Sequence, residues 1–177
     1  MTNPPRIRIL LVDDHAWVHQ AVTTILKIAP DMHLIGQAQN GMEAVRLCDE
    51  LQPDLILMDV VMPHINGIEA TRMIHEKYAH IKILVLSCFQ DDESVRAMLD
   101  SGAMGYVVKG ALSGDLISAI RTAMTGASVF SAEVTSVLLK SAQDGVAGHD
   151  FGLTARELEV LRLMAKGDNN PEIADKL

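Results

Sequence analysis

The stretch 53-PDLILMDVVMPHINGIEA-70 decides the fold. Its first part, Leu55-Ile56-Leu57-Met58, is apolar without alternation. A strand with one wet face alternates polar and apolar residues. One that is apolar throughout is buried on both faces, as in a parallel sheet covered by helices. Asp59 closes the run. Pro63 stiffens the loop that follows, and Gly67 is read as permitting a tight turn into a helix over about 67–78. The same grammar repeats outward. Apolar runs stand at 7–12, 32–36, 82–87 and 105–108, and helical periodicity at 16–28, 41–51, 92–101 and 112–125. Five such β/α units within residues 1–125 predict one doubly wound α/β domain with five parallel strands.

Composition narrows the rest. The chain has 177 residues, of which 49% are apolar, but only three Phe, two Tyr and one Trp. Its core is therefore expected to be aliphatic, with the ten Met as filler. The net charge of −8 makes these residues a poor DNA ligand by themselves, because phosphate neutralisation supplies most of the affinity of DNA-binding proteins. Cys48 and Cys88 are far apart, and Cys48 shares a helical face with Ala44, Leu47 and Leu51, which reads as core packing. The N-terminal apolar run is too short and too charged for a signal peptide, and no stretch approaches a membrane span. A cytoplasmic protein with no membrane partner is expected.

In open α/β sheets the functional crevice lies beyond the carboxyl ends of the strands. The residues predicted there are Asp13 and Asp14 after the first strand, Asp59 after the third, Ser87 at the fourth and Lys109 after the fifth. Taken singly each is ordinary: an aspartate at a strand end often caps a helix, and a lysine is usually solvated. Together, three converging carboxylates repel one another unless a hard divalent cation such as Mg²⁺ joins them. A carboxylate can act as a nucleophile toward phosphorus. Metal, lysine and hydroxyl would then neutralise the transferred phosphoryl oxygens. His15 and His19 stand four apart on the first helix, a zinc-compatible spacing, but no third ligand stands out. Trp17 is a candidate fluorescent reporter beside the acids, or a packing residue.

The segments LLVDDH, PDLILMDVVMPHINGIEA, ILVLSCF and GAMGYVVKG, in that order, resemble the receiver domain of two-component response regulators, a flavodoxin-like fold. The resemblance implies that Asp59 accepts phosphate from the phosphohistidine of a sensor histidine kinase. It implies Mg²⁺ coordination by Asp13, Asp14, Asp59 and the backbone carbonyl of Val61. Ser87 and Lys109 become the phosphoryl-contacting pair, and Tyr106 the aromatic switch that turns inward on activation, repacking the face made by the fourth helix, fifth strand and fifth helix. Val61 and Phe89 occupy the positions that tune water access to the acyl phosphate. Both are apolar and cannot orient a water by hydrogen bonding, so slow self-dephosphorylation is expected rather than enzymatic turnover.

Beyond residue 125 the pattern changes. Residues 126–152 read as a linker containing one short helix over about 131–142, then a Gly/Asp-rich run at 143–152. Residues 153–177, LTARELEVLRLMAKGDNNPEIADKL, open with Thr154 and Glu157 as a capping box, an apolar face of Leu158, Leu161, Met164 and Ala165, and Gly167 as a stop. Asn170 and Pro171 then start a second helix. This stretch resembles the start of the LuxR-type helix-turn-helix of the NarL/FixJ class, a partial all-α domain that stops before the recognition helix. The expectation is a fragment of a longer transcription factor, or a naturally shortened product. Its DNA contacts would come from the missing part, with no DNA-binding residue in this chain, and it would act as a homodimer when active. A different class stays open: a receiver without DNA-binding output, serving as a phosphate sink or interaction module. A small Mg²⁺-dependent phosphohydrolase is disfavoured, because no second catalytic carboxylate follows Asp59.

Overall fold

The computed structural model describes residues 6–88, 91–111 and 116–143, together with Val160 and Leu163. In chain order the elements are β1 (Ile7–Val12), α1 (Ala16–Leu26), β2 (Met32–Ala38), α2 (Gly41–Leu51), β3 (Leu55–Met58), α3 (Gly67–Lys77), β4 (Lys82–Ser87), α4 (Asp92–Asp100), β5 (Gly105–Val108), α5 (Leu116–Met124), β6 (Val129–Phe130) and α6 (Ala132–Gln143). The strands run parallel in the order β2-β1-β3-β4-β5-β6. The chain therefore starts near the centre of the sheet and reverses direction between β1 and β3, which opens a crevice above their carboxyl ends.

The uninterrupted apolar strands are explained by two cores, one on each face. Leu10, Val12, Ile56, Met58, Ile83 and Val85 point toward α2, α3 and α4. Their neighbours Ile9, Leu11, Leu55, Leu57, Leu84 and Leu86 point toward α1 and α5. Successive side chains alternate across a strand, so both sets must be apolar when helices cover both faces. Cys48 is fully buried in the first core, as expected, and burial pushes its thiol up to about 11. Among the described residues three helices begin at side-chain caps: Asn40 accepts from the Glu43 N–H, Asn66 from that of Glu69 and Asp91 from that of Ser94, each at 2.9 Å. The caps fix where the chain leaves the crevice and turns downward.

Three expectations need correction. The domain does not stop at five strands, and residues 126–143 are not a linker. Val129 and Phe130 pair with Gly105 and Tyr106 as a sixth strand, and the Ser131 N–H donates to the Tyr106 carbonyl at 3.1 Å. Val134 and Leu138 of α6 are buried in the same core as Tyr106. A two-residue strand has no periodicity to read, and the apolar spacing of α6 does not say what it packs against. Gly67 also acts differently from its predicted role. It lacks a positive φ, which His64 supplies in the same loop at 67°. A Cβ on Gly67 would stand 1.8 Å from the Asp59 carbonyl oxygen, so glycine is required by close backbone approach. The Gly/Asp-rich run from 144 to 152 and the two helices expected over 153–177 lie outside the described residues, except that Val160 and Leu163 are helical.

Candidate functional site

Asp13 follows β1, Asp59 follows β3, Ser87 ends β4 and Lys109 follows β5, so adjacent parallel strands deliver all four to one crevice. All four are buried, Lys109 to 6% exposure. The Lys109 Nζ lies 2.6 Å from Asp13 Oδ2 and 2.9 Å from Asp59 Oδ2. The other Asp59 oxygen, Oδ1, accepts the Val60 N–H at 2.8 Å. Asp14 is the exposed member at the rim, and Val61 stands half exposed in the loop after Asp59.

Burial raises the Asp59 pKa above the ordinary carboxylate value, with the Asp13 charge adding to it and Lys109 opposing it. For Lys109, burial opposes the charge, but the hydrogen bonds to Asp13 and Asp59 and the two carboxylate charges outweigh it and raise its pKa. The ammonium thus stays charged and holds two carboxylates together.

Tyr106 is fully buried and its hydroxyl shares a hydrogen bond with Ser87. Burial pushes that hydroxyl up to about 12, with the Ser87 bond working the other way. The switch tyrosine expected to turn inward on activation is therefore already inward. Burying the ring completes the core beside α4 and α6, and the Ser87 partner removes the penalty of an unpaired hydroxyl. The face expected to repack is also differently built, since β6 covers the β5 edge and α6 packs beside α4. Phe89 lies outside the described residues.

His15 is the member that sequence reasoning missed. Spacing pairs it only with His19, yet the two rings turn to different partners. His15 Nδ1 lies 2.6 Å from Asp14 Oδ1 and 3.2 Å from Asp13 Oδ1. His19 Nε2 donates instead to the Asp13 backbone carbonyl at 2.6 Å. One ligand atom from each of Asp13, Asp14, His15 and Asp59 lies within 4.8 Å of the others, a grouping that could hold a metal ion. The available signal was adjacency: a residue directly after two site acids shares their environment.

Residues 9–121 match the family model for the response regulator receiver domain. The chain belongs to the two-component response regulators. Residues 152–177 match the model for bacterial regulatory proteins of the luxR family, which makes this regulator one of the NarL/FixJ type. It is 40% identical to the transcriptional regulatory protein LiaR of Bacillus subtilis over 174 residues, covering 97% of this chain and 82% of LiaR. It is 38% identical to the response regulator protein VraR of Staphylococcus aureus over 168 residues, covering 95% of this chain and 80% of VraR. A LuxR-family two-component response regulator from Aurantimonas superposes with a TM-score of 0.74 at 30% identity, covering 78% of this chain and 99% of that one. Among the described residues no helix is long and apolar enough to cross a membrane.

Proposed function

We propose that Asp59 is the phosphoacceptor of this regulator, loaded from the phosphohistidine of a sensor histidine kinase, and that the acyl phosphate controls transcription through the LuxR-type segment. One observation carries this reading: a buried lysine bridges Asp13 and Asp59 beside the buried hydroxyl of Ser87. Asp59 Oδ1 is engaged by the Val60 N–H, so Oδ2, facing Lys109, is the attacking oxygen. Its lone pair forms the new P–O bond as the P–N bond to the kinase imidazole breaks, and the imidazole nitrogen keeps that electron pair.

The residues present fit a hard divalent cation. Three carboxylates against one ammonium leave the crevice doubly negative, and their oxygens lie close enough for a single ion. Asp13, Asp14, Asp59 and the Val61 backbone carbonyl would hold Mg²⁺, which would neutralise the phosphoryl oxygens during transfer. Lys109 then shifts its pairing from the Asp59 carboxylate to the phosphoryl group.

Ser87 is placed to relay the change. The Ser87 hydroxyl is hydrogen-bonded to Tyr106; on phosphorylation it would turn its one proton to the phosphoryl group and accept from the Tyr106 hydroxyl instead. The Tyr106 backbone is bonded to Ser131, and β6 leads directly into α6 and on toward the LuxR-type segment. The output is DNA binding by a homodimer through the LuxR-type module. The protein works in the cytoplasm and is a switch, not a turnover enzyme. The match over 152–177 favours this over a phosphate sink. The test is incubation with Mg²⁺ and a small phosphodonor, beside Asp59→Asn. One base-labile phosphoryl group on the parent and none on the variant supports the reading. Equal labelling of both overturns the assignment of Asp59.

A further inference from the structure

We propose that His15 is an imidazole ligand of the crevice cation, making the site a mixed nitrogen–oxygen site that takes first-row transition-metal ions, Mn²⁺ among them, in preference to Mg²⁺. The inference rests on the proposed cation site and adds a residue to it. Adjacent ligands of an octahedral ion at about 2.1 Å stand about 3.0 Å apart. His15 Nδ1 pairs with Asp14 Oδ1 at 2.6 Å and with Asp13 Oδ1 at 3.2 Å, distances that bracket that spacing, so a cation entering here would take the place of the Nδ1 proton. Opposite ligands of such an ion stand about 4.2 Å apart. The 4.8 Å limit that encloses one atom from each of Asp13, Asp14, His15 and Asp59 is close to that span.

The ring is held in place by local structure. The His15 N–H donates to Asp13 Oδ1 at 2.9 Å, tying the backbone to the same carboxylate that its ring faces. The Trp17 ring meets the imidazole edge-on, with centroids 6.5 Å apart. His15 is the N-cap residue of α1 but caps nothing with its side chain, so the imidazole is not needed to start the helix. Its side chain is 53% exposed, which leaves room for an ion to keep waters. Nitrogen donors raise the affinity of transition metals, whereas Mg²⁺ favours oxygen and retained water.

The experiment is Mn²⁺ binding to the whole chain at fixed pH, followed by pulsed electron paramagnetic resonance and by competition with Mg²⁺. It is run on the parent, His15→Ala and Asp13→Asn. The expected result is a directly coordinated ¹⁴N signal on the parent that vanishes in His15→Ala. The Mn²⁺ over Mg²⁺ preference should fall about tenfold in the same variant. Mn²⁺ bound in the parent and lost in Asp13→Asn, but without a ¹⁴N signal, would overturn the assignment of His15 while leaving the receiver cation site standing. A ¹⁴N signal that persists in His15→Ala would likewise overturn it. Failure of the parent to bind Mn²⁺ at all would overturn both readings.

Discussion

Gly67→Ala tests how the acceptor loop is built. The added Cβ would lie 1.8 Å from the Asp59 carbonyl oxygen, 2.9 Å from its carbonyl carbon and 3.1 Å from the Val60 Cα. All three are backbone atoms, so no rotamer change relieves the contact. Real Cβ atoms essentially never come closer than 3.0 Å, so the first turn of α3 must retreat from Asp59 by about 1.2 Å. That retreat strains or breaks the 2.9 Å hydrogen bond from the Gly67 N–H to the Val60 carbonyl. Overpacking of this kind costs about 1–3 kcal/mol and the lost bond about 1 kcal/mol, so the variant should be about 2–4 kcal/mol less stable. Gly110 is the internal control. It follows Lys109 in the same crevice, but a Cβ there meets nothing within 4 Å and its φ is not positive, so Gly110→Ala should stay within about 0.5 kcal/mol of the parent. Urea unfolding followed by Trp17 fluorescence measures both. At about 2 kcal/mol per molar, the Gly67→Ala midpoint should fall by roughly 1–2 M. A displaced nucleophile is also a poor one: about 1 Å of misplacement can cost on the order of 100-fold in rate. The labelling rate with a small phosphodonor should drop accordingly. A Gly67→Ala protein with parental midpoint and parental labelling rate would refute the argument that close approach fixes this residue.

Further outcomes follow from the same geometry. Lys109→Met leaves two adjacent buried carboxylates without their bridging cation. It should cost about 3 kcal/mol, largely restored by saturating Mg²⁺; a loss that Mg²⁺ does not touch would count against a cation site there. Asp59→Asn should stabilise the metal-free protein near neutral pH. The Asp59 folded pKa is raised, so its penalty exists above that pKa and fades as pH falls through it. The advantage of the variant should shrink in acid, and an advantage that grew in acid would contradict an upward shift. Leu138→Ala should destabilise the receiver by about 2–3 kcal/mol in the same unfolding assay, whereas a linker residue would cost nothing. The phosphoryl group should persist for long periods on the isolated parent. Val61→Asn, at a position 51% exposed, should speed its loss about tenfold without a change in stability. Equal decay of the two would remove Val61 from that role.

The sequence determined the layered architecture and the membership of most of the site. Strands apolar at every position require helices on both faces, and a parallel sheet then fixes where strand ends converge. Asp13, Asp59, Ser87 and Lys109 are thus brought together by the sequence pattern alone. Those inferences rest on periodicity and chain polarity, which are local properties. Tertiary structure alone decided the rest. Lys109 bridges Asp13 and Asp59 because β5 reaches the crevice across β4, one strand away from β3. Tyr106 lies inward because α4 and α6 together complete a core around its ring and Ser87 satisfies its hydroxyl. His15 joins the acids through the turn that starts α1, while His19, one helical turn on, engages the Asp13 backbone. Gly67 is fixed by the Asp59 carbonyl pressed against α3. Segment 126–143 is part of the receiver because the free edge of β5 offers unpaired backbone groups, and two residues of the chain that follows are enough to pair with them. Which partner a side chain or a sheet edge meets depends on register and crossing elements, and no local pattern carries that information.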